Sequence, residues 1–382
     1  MKTETDARYN IKKTFEYNKE HGPFEKIKNR SNEIKKLLGG YGISTDFFGF
    51  KTKLPIGVAA GPLYNKEYME GAAKDGFEVI TWKTFRSVHR LAHRSDGKYL
   101  GHNIVFLPTS QLTAKRLNEK IAGSLTLSGD VDDVSITNSF GMPSDAPAEW
   151  LTEIGELEKY AAKNKKLVIT SVVGTPKEGG SIEDLANDYA FLARLAESAG
   201  ATVVELNLSC PNVHGAEGTI YKDPKNSAII ARKTRELLFN NDTKLLLKVG
   251  YADKKYYKKF LKATGKYIDG IVAINTIPMH IVDKKGKQAL PGGATSGTCG
   301  KAILDMATEA VVNLRTARDE LKKEAKHVKV IGCGGVTDAS GFMQHIDAGA
   351  EFVMCATAAL FNPKLPVEIA KHVREGKIKT KI

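Results

Sequence analysis

The sequence predicts an α/β protein folded as a (β/α)8 TIM barrel behind an N-terminal helical extension, with the extension at residues 1–50 and the barrel at residues 51–382. Three observations predict it. From Leu54 onward, short apolar runs alternate with helical segments about eight times. Polar residues or glycines stand where nearly every apolar run ends, as expected of a barrel that carries a site on one face. The length, 382 residues with 42% hydrophobic and 26% charged side chains, suits one soluble barrel with extensions. An open doubly wound sheet is the competing arrangement.

The first forty residues read as a charged helical preface. Phe15, Phe24, Ile27, Ile34, Leu37 and Leu38 give a broken helical stripe, interrupted at Gly22-Pro23 and ended at Gly39-Gly40. A pair of helices on the barrel's outer surface is expected; a lip for a membrane or partner is the alternative. Strands are then expected at Ile56 to Ala60 and Phe77 to Lys83, with a helix from Lys66 to Lys74 between them. Arg86 to Asp130 is irregular, with a short helical piece near Leu112 to Ile121. Strand-like Val134 to Thr137 leads through NSFGMPS to a helix over Pro147 to Ala162. Leu167 to Val173 and Thr202 to Leu208 are strands around a helix at Ile182 to Ala199.

The second half keeps this alternation. Helices are expected at Ser227 to Leu238 and Lys254 to Ala263, and strands at Lys244 to Val249 and Ile268 to Asn275. A hairpin over His280 to Leu290 turns at Lys285-Gly286. Gly292 to Gly300 reads as a glycine-rich loop opening a long helix, Lys301 to Leu321. Strand Val328 to Ile331, helix Ala339 to Ala348, strand Phe352 to Cys355 and a final helix complete the set.

The net charge of +13 suits a polyanion partner, yet the lysines are interleaved with acids, so solvated helix faces are the simpler reading and no nucleic acid is expected. No secretory signal is visible and no apolar run reaches about 18 residues, so neither export nor stable membrane insertion is expected. Cys210, Cys299, Cys333 and Cys355 show no metal-ligand spacing. Free thiols fit a cytoplasmic protein. Cys333 and Cys355 read as inert packing residues in apolar strands, and Cys299 has no readable role.

The stretch VVELNLSCPN (Val203 to Asn212) concentrates the chemistry. Val203, Val204 and Leu206 fill a buried strand, which then breaks into Asn207, Ser209 and Cys210 before Pro211. Asn138, Asn207, Asn212 and Asn275 stand at or near strand ends. Each amide offers a donor and an acceptor, which suits a flat ligand with alternating C=O and N–H groups. Lys83 and Lys248 each end an apolar run, where an ammonium must find an anionic or carbonyl partner. Cys210 is open as buried thiol, nucleophile or proton acceptor. Glycines at Gly332 to Val336, with Ala294 to Gly297 before them and Cys355 to Ala359 after, suit a phosphorylated cofactor at the last strands of a barrel.

ELNLSCPN (Glu205 to Asn212), TNSFGMPS (Thr137 to Ser144) and AINT (Ala273 to Thr276) resemble the dihydroorotate dehydrogenases, flavin-dependent barrels of pyrimidine biosynthesis. The resemblance runs from about Leu54 to Pro363. It implies FMN as cofactor and oxidation of (S)-dihydroorotate to orotate. It implies Cys210 as the base for the C5 proton while hydride leaves C6 for flavin N5. Asn138, Asn207, Asn212 and Asn275, with Thr276, would hold the pyrimidine, and Lys83 with the backbone at Gly141 and Met142 its carboxylate. Lys248 and Lys83 would face the flavin, Ala60 and Gly61 would line it, and Gly297, Gly334, Gly335, Ala356 and Thr357 would hold its phosphate.

Cysteine at position 210 resembles the soluble class 1 enzymes, whereas GVAAG (Gly57 to Gly61) looks more like class 2. Ala356 stands where the family usually has glycine and Ser144 where it usually has asparagine. The segment between Lys83 and Asn138 is longer than usual, and the preface matches neither class. Fumarate, a nicotinamide route through an iron–sulfur subunit and a quinone all stay open as electron acceptors, and a homodimer is compatible with the family. Related flavin reductases of the dihydropyrimidine dehydrogenase and dihydrouridine synthase types are the alternatives.

Overall fold

The computed structural model describes residues 7–93, 102–108, 119–209, 219–321 and 323–376. Thr14 caps α1 (Phe15–His21) by accepting the Tyr17 N–H at 3.1 Å. Helix α2 (Ser31–Leu38) stops at Gly39, whose positive φ ends the turn. Strands β1 (Thr45–Phe47) and β2 (Phe50–Thr52) then pair as a hairpin across the expected boundary at residue 50.

Next come β3 (Ile56–Val58), α3 (Lys66–Asp75) and β4 (Val79–Thr81). Gly76 closes α3 in the left-handed region, and a Cβ there would lie 2.0 Å from Ile34 Cδ1, so glycine lets α2 dock. After β5 (Ile104–Leu107), β6 (Lys120–Ala122) and β7 (Ser135–Asn138), the alternation resumes. It runs through α4 (Pro147–Asn164), β8 (Leu167–Val172), α5 (Ile182–Ser198), β9 (Val203–Asn207), α6 (Pro224–Leu237), β10 (Lys244–Val249), α7 (Lys254–Thr264) and β11 (Gly270–Ala273). Strands β12 (Ile277–Val282) and β13 (Ser296–Gly300) interrupt it. Then follow α8 (Leu304–Leu321), β14 (Lys329–Cys333), α9 (Ala339–Asp347), β15 (Phe352–Cys355), α10 (Thr357–Phe361) and α11 (Leu365–Glu375).

Eight parallel strands close the barrel in the order β3, β4, β8, β9, β10, β11, β14, β15 and back to β3. Their runs are apolar because both faces are covered. Val79, Ile169, Val203, Leu246, Val272 and Ile331 fill the interior, while the outward residues join the helices in the larger core. Phe47 of the first hairpin packs on Phe352, ring centroids 4.6 Å apart, and Thr45 Oγ1 donates to the Glu351 carbonyl. Both partners stand at the start of β15, so the hairpin plugs the barrel's N-terminal end.

Three expectations are corrected. Val134 to Thr137 does not supply a barrel strand: β7 belongs to a separate five-stranded sheet, ordered β5-β7-β13-β12-β6. That sheet is built from the chain after β4 and after β11, so it covers the C-terminal mouth. The helical piece expected to reach Ile121 is there replaced by strand β6, which pairs with β12; residues 109–118 lie outside the described residues. The glycine-rich run ending at Gly300 is a strand in its last five residues, and the helix proper starts at Leu304 after a 3-10 turn. Small residues at 296–300 let β13 lie buried between β12 and β7.

Helix α1 also lies elsewhere than expected. Phe15 packs edge-on against Tyr64 and Phe140, with centroids 5.1 and 5.4 Å away, at the barrel mouth and not on its flank. Only α2 behaves as a surface helix, against α11. Arg8 and Arg30 anchor this segment on Asp75 of α3, at 2.7 and 2.6 Å, in a buried cluster.

Candidate active site

The strands end where the polar residues begin. Lys83 and Thr84 follow β4, Asn207 ends β9, Lys248 lies in β10 one residue from its end, and Asn275 and Thr276 follow β11. Parallel register sets Lys248 beside Asn207. A cleft opens there, lined among others by Ala60, Gly61, Lys83, Asn138, Met142, Asn207, Asn275, Thr276, Ala356 and Thr357. A few polar groups converging in a largely apolar concavity suit a small organic ligand. A second compartment shares Ala60, Asn275, Thr276, Ala356 and Thr357 with it and adds Lys248, Gly334 and Gly335.

The amides form one network. Asn207 Nδ2 donates to Thr84 Oγ1 at 3.2 Å, and Asn275 Nδ2 donates to Asn207 Oδ1 at 3.2 Å and to the Ser209 carbonyl. Asn138 Nδ2 faces the Gly297 carbonyl at 3.3 Å and Cys299 Sγ at 3.8 Å. The half-buried Lys83 ammonium lies 5.5 Å from the Phe15 ring centroid and 5.3 Å from that of Phe140.

The loop after β7 is held at successive residues. Gly141 and Met142 both take positive φ, 75° and 54°, and a Cβ on Gly141 would sit 2.4 Å from the His93 ring. The fully buried Arg86 guanidinium donates to the Met142 carbonyl at 3.2 Å. Ser144, the departure from asparagine, accepts the Arg86 N–H at 3.0 Å and donates to the Asp145 carbonyl at 2.8 Å.

Lys248 is 3% exposed, and no carboxylate lies within ion-pair range of it among the described residues. Its hydrogen bond goes to Cys333 Sγ at 3.6 Å. Burial works against its charge, but the Cys333 sulfur and the Glu205 carboxylate outweigh that and hold the ammonium's pKa above its ordinary value. Burial likewise pushes the Cys333 thiol up, against the pull of Lys248. Cys333 therefore does more than pack. Cys299, without a role in the sequence reading, lines both compartments, and burial pushes its thiol up to about 11.

Gly334 and Gly335 have positive φ, and a Cβ on Gly335 would fall 2.3 Å from the Leu304 Cα. These glycines let the loop after β14 run against the start of α8. Behind them His345 shares a 2.8 Å hydrogen bond with the Gly334 carbonyl, and burial lowers its pKa to about 4, so it is neutral and its Nε2–H donates.

Two expected residues stand apart from the cavity. Gly141 acts in the loop backbone, and Gly297 is a sheet residue paired with Asn138 and Pro278, its carbonyl accepting from Thr137 Oγ1 at 3.2 Å. Cys210 and Asn212 lie outside the described residues. Sequence reasoning missed Phe15, Tyr64, Thr84 and Phe140. Thr84 carried a signal as the hydroxyl directly after Lys83, and Phe140 by its place inside TNSFGMPS.

A closed barrel whose polar mouth joins an amide-lined cleft to a compartment with a buried lysine and glycine loops after its last strands has the layout of a barrel enzyme acting on small molecules. Within that class the chain belongs to the dihydroorotate dehydrogenase family, whose model matches residues 127–376. It is 32% identical over 369 residues to the dihydroorotate dehydrogenase of Dictyostelium discoideum, across 94% of this chain and 95% of that protein. The catalytic subunit of dihydroorotate dehydrogenase B (NAD(+)) of Staphylococcus carnosus is 28% identical over 206 residues, 54% of this chain and 63% of that subunit. The Pyrococcus furiosus subunit of the same name is 27% identical over 241 residues, 63% of this chain and 72% of that subunit. Membership of this family implies FMN as cofactor. Among the described residues no helix is long and apolar enough to cross a membrane.

Proposed function

We propose that this protein oxidises (S)-dihydroorotate to orotate in pyrimidine biosynthesis, with substrate in the amide-lined cleft and FMN reaching into the compartment of Lys248. The observation that carries this reading is the convergence of Lys83, Asn138, Met142, Asn207, Asn275 and Thr276, from the ends of β4, β7, β9 and β11, on one cleft. The second compartment fits FMN by its chemistry: a buried ammonium that bonds a thiol suits an electron-rich ring edge, and loops of glycine and small residues leave backbone open to a phosphate. When bound, FMN supplies the two-electron acceptor for the hydride from substrate C6.

The chain's own residues do the rest. Asn138, Asn207, Asn212, Asn275 and Thr276 orient the planar ring through its C=O and N–H groups. Lys83 and the backbone at Met142 meet the carboxylate, with Gly141 shaping the loop that presents that backbone. Cys210 takes the C5 proton, so the C5 electron pair becomes the ring double bond of orotate as hydride departs. Lys248 stabilises negative charge at the ring edge it faces. Ala60 and Gly61 line the flavin, and Gly334, Gly335, Ala356 and Thr357 hold its phosphate. Gly297 belongs to this set only through the sheet that carries Asn138.

The test is anaerobic addition of dihydroorotate to the FMN-loaded protein. Loss of the flavin absorbance band is expected, with orotate formed in equal amount; an unchanged spectrum with fully loaded flavin overturns the reading. Steady-state assays with fumarate, with a quinone, and with NAD+ plus an iron–sulfur partner then assign the acceptor, and sedimentation settles whether a homodimer forms.

A further inference from the structure

Glu205 lies two residues before Asn207 on β9, hence on the same inward face, and is fully buried. Its Oε1 accepts the Ser171 hydroxyl at 2.9 Å, and Ser171 Oγ lies 3.0 Å from Thr84 Oγ1, which in turn receives Asn207 Nδ2 at 3.2 Å. We infer that Glu205, acting through Ser171 and Thr84, is the positioning residue that fixes the amide orientation of Asn207 and the donor–acceptor pattern the cleft offers its ligand. The inference deepens the dihydroorotate reading and rests on it for the ligand's identity.

Counting hydrogens decides the polarity. A carboxylate only accepts, so Ser171 spends its one hydroxyl hydrogen on Glu205. Ser171 can then only accept from Thr84, and Thr84 can only accept from Asn207. The atom facing Thr84 is therefore the amide nitrogen. Reversing the chain would leave Glu205 buried with both oxygens unpaired, since Oε2 already has no partner.

The consequence spreads to the neighbouring amide. Asn207 Oδ1 accepts from Ser209 N–H at 3.3 Å and from Asn275 Nδ2 at 3.2 Å. Asn275 gives its other amide hydrogen to the Ser209 carbonyl, and its Oδ1 accepts Thr276 N–H at 2.8 Å. Asn207 gives its second N–H to Met142 Sδ at 3.8 Å, a weak bond at the cleft lining that a ligand carbonyl can displace. Asn275 keeps one lone pair as an acceptor. The pair matches a ligand carbonyl next to an N–H, the lactam edge of a pyrimidine.

A neutron structure of the deuterated protein reads the chain without a ligand. Deuterium on Ser171 Oγ aimed at Glu205, and on Thr84 Oγ1 aimed at Ser171, is expected; the opposite polarity overturns the inference. Orotate binding to the FMN-loaded protein, followed by the flavin difference spectrum, reads the consequence. Thr84→Val should weaken binding about tenfold, the worth of one lost hydrogen bond, while Thr84→Ser restores it to within about twofold. Equal affinity of wild type and Thr84→Val overturns the inference, and Ser171→Ala, with the same expected weakening, serves if Thr84→Val does not fold. Wild-type protein that fails to bind orotate removes the dihydroorotate reading instead, and the neutron result still decides the chain.

Discussion

Lys248 is an ammonium kept in the barrel interior with a thiol for a hydrogen-bond partner. Replacing a buried charge by an apolar chain of similar length is neutral or stabilising for a fold, whereas removing a donor aimed at developing charge slows chemistry. Lys248→Met is therefore expected to keep or raise the melting temperature while lowering kcat/KM for dihydroorotate by about 10² to 10³. A parallel loss of both in thermal scans and steady-state assays would make the lysine a packing residue. Cys210→Ala should leave flavin content intact and slow anaerobic flavin reduction about 10²- to 10⁴-fold, measured by stopped flow. Normal reduction would remove the thiol from the proton transfer.

At the scale of elements, α1 serves the site, because Phe15 stands between Tyr64, Phe140 and the Lys83 ammonium. Phe15→Ala is expected to cost about 3 kcal/mol of stability, and to raise KM for dihydroorotate more than it lowers kcat. Denaturant melts and initial rates check the two parts. The barrel strands and their helices were legible because each strand is a short apolar run and each helix has a 3.6-residue stripe. The sheet over the mouth was not, because Val134 to Thr137 carries three β-branched residues in four like a barrel strand, and β13 is built of Ser, Gly, Thr and Cys, residues that read as loop. At the site, Asn207 and Lys248 were legible because polar groups ending buried strands need partners. Phe15 was not, because an aromatic on a helical stripe looks the same whether it faces a flank or a cavity.

For the whole molecule, stability should depend on pH through His345. Its pKa of about 4 lies below the ordinary 6.5, so the unfolded chain binds more protons between those values. This contribution, about 3 kcal/mol, is present above pH 6.5 and lost as pH falls towards 4. His345→Gln keeps a donor for the Gly334 carbonyl, and its melting temperature is expected to fall less than that of wild type between pH 6.5 and 4.5. The buried cluster on Asp75 ties the N-terminal segment to the barrel, and Asp75→Asn would leave Arg8 and Arg30 with Glu25 alone, 3.8 and 3.9 Å away. A loss of about 3 kcal/mol is expected, with proteolysis entering between residues 7 and 45 first. That same segment stops the barrel's lower end with the β1–β2 hairpin, packs α2 on α11, and joins the Arg8 N–H to the Leu360 carbonyl at 2.7 Å. Arg8 is thus held by a residue made about 350 positions later, on the order of twenty seconds to a minute at ordinary rates of synthesis. A nascent chain must wait that long with this strap undocked, an interval in which a chaperone has an exposed segment to hold.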